Sequence, residues 1–312
     1  MSNSNHAPVR IGCSLPVTPG SDWSVSPDRS GIHTVADAGL DHLMIGDHVS
    51  FIDGAGADGL LQAAAVFGRR PDLPVYLGVY LLALRHPVTV ARQVADLSAL
   101  APGKLVLGVG LGGDDRHEIE VCGVDPTTRG RRMDECLSVL RPLLTGETVT
   151  LHGQHIQVHE ARIRPVPADP VPIVVGGRSE AALRRAARAA DGWIGIWLSA
   201  RRYADCIQAV EQQAAEDGTG PKEWAHALNV WCGLGPTKEI AEASIAEGMQ
   251  RFYRLPYDKF ARWSPAGTPE DVAAFLAPYL EAGCSTINLI PCGRDADDTI
   301  AMAARVRELL LG

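Results

Sequence analysis

Eight short, almost uninterrupted apolar runs, each followed by a longer segment of helical period, constrain this chain more than any other feature. The runs occupy residues 9–15, 42–46, 75–81, 104–109, 172–175, 193–197, 227–233 and 285–290. A strand that is apolar throughout belongs in a parallel sheet covered on both faces, whereas a strand with one wet face alternates. Helical patterns fill residues 27–38, 59–69, 87–100, 129–144, 179–190, 200–217, 237–250 and 269–282, and a last one covers 296–311. Eight strand-helix pairs are the count of an α/β fold of the (β/α)8 TIM-barrel class. A doubly wound open sheet is the alternative. Single barrels reach this length, so residues 1–312 are read as one barrel domain.

Two segments break the rhythm. Residues 147–164 (ETVTLHGQHIQVHEARIR) alternate with period two around a Gly and predict a β-hairpin inserted after strand four. Residues 251–265 are aromatic and basic without a period and predict a lid-like loop after the strand-seven region.

Bulk properties narrow the function classes. The net charge is −8, and no basic cluster stands apart from acidic residues, so a nucleic-acid surface is not expected. The stretch LRRAAR (183–188) reads as the solvated face of a helix. Seven scattered cysteines without a C-x-x-C pair fit a reducing cytoplasm. No apolar run approaches the roughly 18 residues of a membrane span, and MSNSNHAPVR lacks the apolar core of a signal peptide. A cytoplasmic protein without membrane contact is expected.

In a barrel of this class the working end is the C-terminal rim of the strands. His48 follows strand two, where its imidazole either exchanges a proton near neutral pH or merely packs. Asp47 beside it either fixes a tautomer or caps the next segment. After strand four, LGVGLGGDDRHE (107–118) brings Gly110 and Gly112, where backbone can approach a ligand closely, and the acid Asp114. After strand five, VVGGRSEAALRRAAR (174–188) runs from Val175 through Gly176, Gly177 and Arg178 into a helix that Ser179 would cap. That turn is an anion cradle or an ordinary tight connection. Gly78 inside strand three predicts a bulge or a close backbone approach. His152, His155 and His159 lack the partners of a metal shell, and neither a G-x-S-x-G elbow nor H-E-x-x-H occurs. No metal is expected.

In order along the chain, RIGCSL, AGLDHLMIGDHV, GVYLLALRHPVTVARQVADLSAL, GKLVLGVGLGGDDRHE, LHGQHIQV, PIVVGGRSEAALRRAARAADGW and GTPEDVAAFL resemble the bacterial luciferase-like family, and its coenzyme F420-dependent branch in particular. The resemblance implies a barrel that binds F420, or alternatively FMN, at the C-terminal rim. It implies a non-prolyl cis bond at Gly78–Val79 behind the cofactor ring, the cofactor phosphate on Gly176 and Gly177, and His48 near the reactive ring. The chain departs at one point. Sugar-phosphate dehydrogenases of this family carry a Glu soon after the strand-four glycines, where this chain has Gly113 and Asp114. Asp114 either substitutes for that acid or solvates the loop.

The leading expectation is hydride transfer between F420 and a small organic substrate, with His48 as proton donor or ring-polarising group. The rivals are an FMN-dependent monooxygenase served by a separate flavin reductase, and a flavin-binding member without turnover. A homodimer is expected from the resemblance.

Overall fold

The computed structural model describes residues 7–19, 29–112, 115–219 and 223–312. The first elements are β1 (Arg10–Cys13), α1 (Arg29–Asp37), β2 (Leu43–Ile45), β3 (His48–Phe51), β4 (Ala55–Ala57), α2 (Gly59–Phe67), β5 (Val75–Tyr80), α3 (Pro87–Leu100) and β6 (Leu105–Val109). Then come α4 (Arg116–Val121), α5 (Arg129–Leu144), β7 (Val149–His152), β8 (Gln157–Ala161), β9 (Ile173–Gly176), α6 (Glu180–Ala189) and β10 (Gly192–Ile196). The remainder is α7 (Ala200–Glu216), β11 (Ala227–Leu234), α8 (Lys238–Tyr253), β12 (Ala266–Gly267), α9 (Pro269–Glu281), β13 (Thr286–Cys292) and α10 (Ala296–Leu311).

The eight apolar runs are β1, β2, β5, β6, β9, β10, β11 and β13. Their sheet order is β10-β9-β6-β5-β2-β1-β13-β11, with a further β10–β11 pairing. That is the (β/α)8 barrel order; the open-sheet alternative would leave two edges. Among the described residues no helix is long and apolar enough to cross a membrane.

The chain groups into two compact units, residues 1–44 with 191–312, and residues 45–190. In the first, β13 pairs in parallel with β1 and with β11, from Ala227 opposite Thr286 to Gly233 opposite Cys292. A polar string crosses this mostly apolar interior. Nε2 of His42 donates to Oδ1 of Asn288 (2.6 Å), and Nδ2 of Asn288 donates to Oδ1 of Asn229 (2.9 Å). Burial outweighs these partners and pushes the His42 imidazole from 6.5 down to about 4. Unfolded chains take up this proton near pH 6.5, whereas folded ones wait until about 4, so the unfolded state binds more protons in between. Stability is expected to be undiminished by His42 above pH 6.5 and to fall by about 3 kcal/mol as pH drops through that window. Urea midpoints measured across it, with His42→Asn flattening the slope, check this.

The segment predicted as a lid is only partly a loop. Residues 251–253 continue α8, which ends where Arg254 turns left-handed (φ 56°), just ahead of Pro256. Two 3-10 turns follow, Tyr257–Lys259 and Ala261–Trp263. The aromatic residues turn inward. Tyr253 lies 5.1 Å from Trp197 and 5.6 Å from Trp231, ring to ring, and Phe260 lies 4.9 Å from Trp197.

In the second unit β5, β6 and β9 run parallel, with Tyr80 opposite Val109 and Val109 opposite Val175. The predicted hairpin forms as β7 and β8. Glu135 of α5 fastens its turn by accepting from the backbone N–H groups of Gln154, His155 and Ile156 at 2.7–2.9 Å. In this unit the small antiparallel hairpin β3–β4 and the six-residue helix α4 were not foreseen in the sequence.

Candidate active site

All the described candidate residues lie in the second unit. The register there brings the ends of three strands together. Tyr80, Val109 and Val175 stand side by side, so Gly110 follows β6 at the level where Gly176 ends β9. The ladder between β5 and β6 slips between Leu77 and Tyr80, the bulge that Gly78 predicts, and the Gly78–Val79 bond is cis. Val79 presses against β6 at this point. A Cβ on Gly110 would stand 2.4 Å from Val79 Cγ2, which only glycine allows. Gly110→Ala is therefore expected to force Val79 aside and cost about 1–3 kcal/mol, read as a lower thermal midpoint together with weaker cofactor binding.

The β9–α6 turn has the features of an anion cradle. Val175 is buried, while Gly177 and Arg178 are exposed. Gly177 adopts φ 127°, a conformation that side chains rarely take. Ser179 caps α6 by accepting from the Ala182 N–H at 3.3 Å. The first N–H groups of a helix have no partner within it and carry the positive end of its dipole, so a phosphate suits this turn, with Arg178 adding charge.

His48 opens β3, opposite Ala57 of β4, and its ring lies 4.2 Å from that of Phe51. Nδ1 sits 3.0 Å from Oε2 of Glu118, whose side chain is only 1% exposed. Oε1 of Glu118 also accepts from the N–H groups of Val49 (2.7 Å) and Ser50 (3.2 Å). Burial pushes the Glu118 carboxyl up, but the His48 hydrogen bond and charge, with the two backbone N–H groups, outweigh it and hold the group below its ordinary value. Glu118 is the partner that sequence reasoning missed. It stands in the quoted run 107–118, but α4 is too short to show a period and 70 residues separate the acid from His48.

Of the two readings of Asp47, the structure favours the one in which it caps the next segment, since it accepts from Gly59 at the start of α2. Its carboxylate bonds Arg85 and backbone N–H groups, not the His48 ring. Arg85 grips it with Nη1 at 2.6 Å and Nη2 at 2.8 Å, and it accepts from the N–H groups of Gly59 (2.9 Å) and Leu81 (2.8 Å). Arg85 also reaches Asp58, the N-cap of α2, and lies over the Tyr80 ring at 4.3 Å. Asp47 thus fastens the end of β2 to the end of β5 and the start of α2. Asp114 lies outside the described residues. Gly112 is described, with φ 69°. Among the described residues no group of His, Cys, Asp and Glu is arranged to hold a metal ion.

Known proteins share both sequence and fold with this chain. An F420-dependent glucose-6-phosphate dehydrogenase of Nakamurella multipartita is 28% identical over 95% of this chain and 94% of its own length. An uncharacterized protein of Mycobacterium bovis is 42% identical over 181 residues, a match that spans 57% of this chain and 62% of that relative. Among solved structures, an F420-dependent secondary alcohol dehydrogenase in complex with an F420-acetone adduct superposes with a TM-score of 0.84 at 18% identity, covering 97% of this chain and 99% of that one. The monooxygenase RslO1 from Streptomyces bottropensis gives a TM-score of 0.82 at 20% identity, with coverage of 97% and 99%. The model of the luciferase-like monooxygenase family matches residues 32–271, so the chain belongs to that family.

Proposed function

We propose that this protein is an oxidoreductase that exchanges a hydride between coenzyme F420 and a small organic substrate of the alcohol–carbonyl pair. The observation that carries the reading is the imidazole of His48, held by a buried carboxylate in the same unit as the glycine-lined strand ends and the β9–α6 turn. The F420-dependent dehydrogenases among the similar proteins support the same reading.

The residues fit such a cofactor. Gly176, Gly177, Arg178 and the N-terminus of α6 would hold its phosphate. The backbone of Gly78 and Val79, with Gly110 and Gly112, would stand against its ring, Val175 closing the floor beneath the turn. When bound, the deazaflavin supplies a ring carbon that accepts or returns a hydride. His48 supplies the proton path: as an alcohol becomes a carbonyl, the hydroxyl proton passes to the imidazole, and the reverse reaction takes it back. Asp47 acts by positioning, through Leu81 and Arg85. Location in the cytoplasm and assembly as a homodimer belong to the same reading, the latter checked by light scattering of the purified chain.

The fold likeness to a monooxygenase supports a second reading, in which FMN reduced by a separate flavin reductase serves oxygen insertion. Titrating the purified protein with F420 and with FMN separates the two. F420 binding in the micromolar range or tighter, with FMN much weaker, is expected. The reverse order overturns the first reading, and binding without turnover of any alcohol or ketone marks a member that has lost its activity.

A further inference from the structure

The bonds around Glu118 decide which nitrogen of His48 carries the proton. Oε1 is occupied by two backbone donors, Val49 N–H at 2.7 Å and Ser50 N–H at 3.2 Å. Oε2 meets Nδ1 of His48 at 3.0 Å, with Oε1 at 3.2 Å from the same atom. An ionised carboxylate only accepts, so Nδ1 must be the donating N–H, and the neutral ring then has its lone pair on Nε2. The carboxylate itself is held. Asp115, the N-cap of α4, accepts from His117 N–H (2.9 Å) and reaches across to Ile52 N–H (3.0 Å). Two acids of one short segment therefore clamp the backbone of β3 and of the residue after it, Ile52, and Phe51 packs beside the ring. With Glu118 1% exposed, little water competes for these bonds.

We propose that Glu118 is the positioning residue of this site: it fixes His48 as the Nδ1–H tautomer and so makes Nε2 the atom at which a substrate proton is taken up and returned. The role in turnover rests on the function proposed above; the tautomer does not.

An isosteric change gives a sharp test. In Glu118→Gln the amide oxygen stays with Val49 and Ser50, because an NH2 group there would face two donors. The NH2 group is then presented to Nδ1, which must become an acceptor, and the proton moves to Nε2. Each partner keeps a hydrogen bond, so the fold is retained while the tautomer inverts. An Asp-to-Asn change of this kind behind the histidine of serine proteases costs about 10^4 in kcat.

The readout is imidazole 15N NMR of the full-length chain, labelled at histidine, at a pH where the ring is neutral and with His48→Gln to assign the signal. The wild type is expected to show Nδ1–H and Glu118→Gln to show Nε2–H, with an unchanged thermal midpoint to within a few degrees. In turnover with F420, Glu118→Gln is expected to lose about 10^2–10^4-fold in kcat, with KM for F420 within about threefold. An Nε2–H signal in the wild type, or an unaltered signal in the variant, overturns the proposal. Should the variant not fold, the wild-type spectrum alone decides the tautomer. A chain that binds neither F420 nor FMN yet shows the inversion sinks the proposed function and leaves the tautomer assignment standing.

Discussion

Replacing Asp47 with Ala is expected to lower folding stability by about 3–5 kcal/mol, the cost of breaking a buried ion pair by removing one partner. The side chain of Asp47 is 0% exposed and that of Arg85 17%, so the guanidinium left behind cannot fully hydrate. Asp58 is its remaining acid, at 3.1 Å and already engaged as an N-cap. The N–H groups of Gly59 and Leu81 lose their acceptor as well, each at about 1–3 kcal/mol if left dry. These penalties overlap, because the same cavity admits water to several of the groups, so the total stays below their sum. Asp47→Asn keeps the shape and one acceptor oxygen and should fall between Ala and wild type. Urea unfolding of the full chain measures both. A loss under about 1 kcal/mol for the Ala variant would show that the ion pair contributes little beyond packing. Weaker F420 binding should accompany the loss, because Leu81 follows directly on the strand that carries Gly78 and Val79.

The second large effect belongs to His48. His48→Gln should lower turnover with F420 by about 10^2–10^4-fold, the usual contribution of a positioned acid or base. The amide can still donate to Glu118, which keeps β3 in place. Cofactor affinity should change by no more than about threefold, since in the proposed site the phosphate would rest on Gly176, Gly177 and Arg178 and not on His48. Steady-state rates and a binding titration on the same preparation separate the two quantities. A drop smaller than about tenfold, with affinity intact, would reduce His48 to a packing partner of Phe51.

The strands were legible for a physical reason. A parallel strand covered on both faces is apolar at every position, and each of the eight runs became a strand within two residues of its expected ends. Helices with a Pro start or a long period, such as Pro87–Leu100 and Ala296–Leu311, could be read to the residue. The β3–β4 hairpin and α4 could not. Three or four residues show too little alternation to stand out, even though the Asp53-Gly54 pair that joins β3 to β4, with both residues at positive φ (62° and 84°), is a usual hairpin turn signal. His48 was visible as an unusual residue at a strand end, but its neighbour in sequence proved a misleading guide. Asp47 turns away to Arg85, and the acid that reaches the ring comes from α4.

By itself, then, the sequence determined the eight buried strands, the glycine turns after β6 and β9, and His48 as a candidate, because burial on both faces and strand-end punctuation are local properties; the strand order that closes the barrel came from the structure. Only the tertiary structure decided the partnerships. Which carboxylate meets which cation or imidazole depends on contacts 38 residues apart for Asp47 and Arg85, and 70 apart for His48 and Glu118. Both acids lie beside plausible partners along the chain. The choice between them is made by burial and by the backbone N–H groups that each carboxylate must satisfy once the strands are in place.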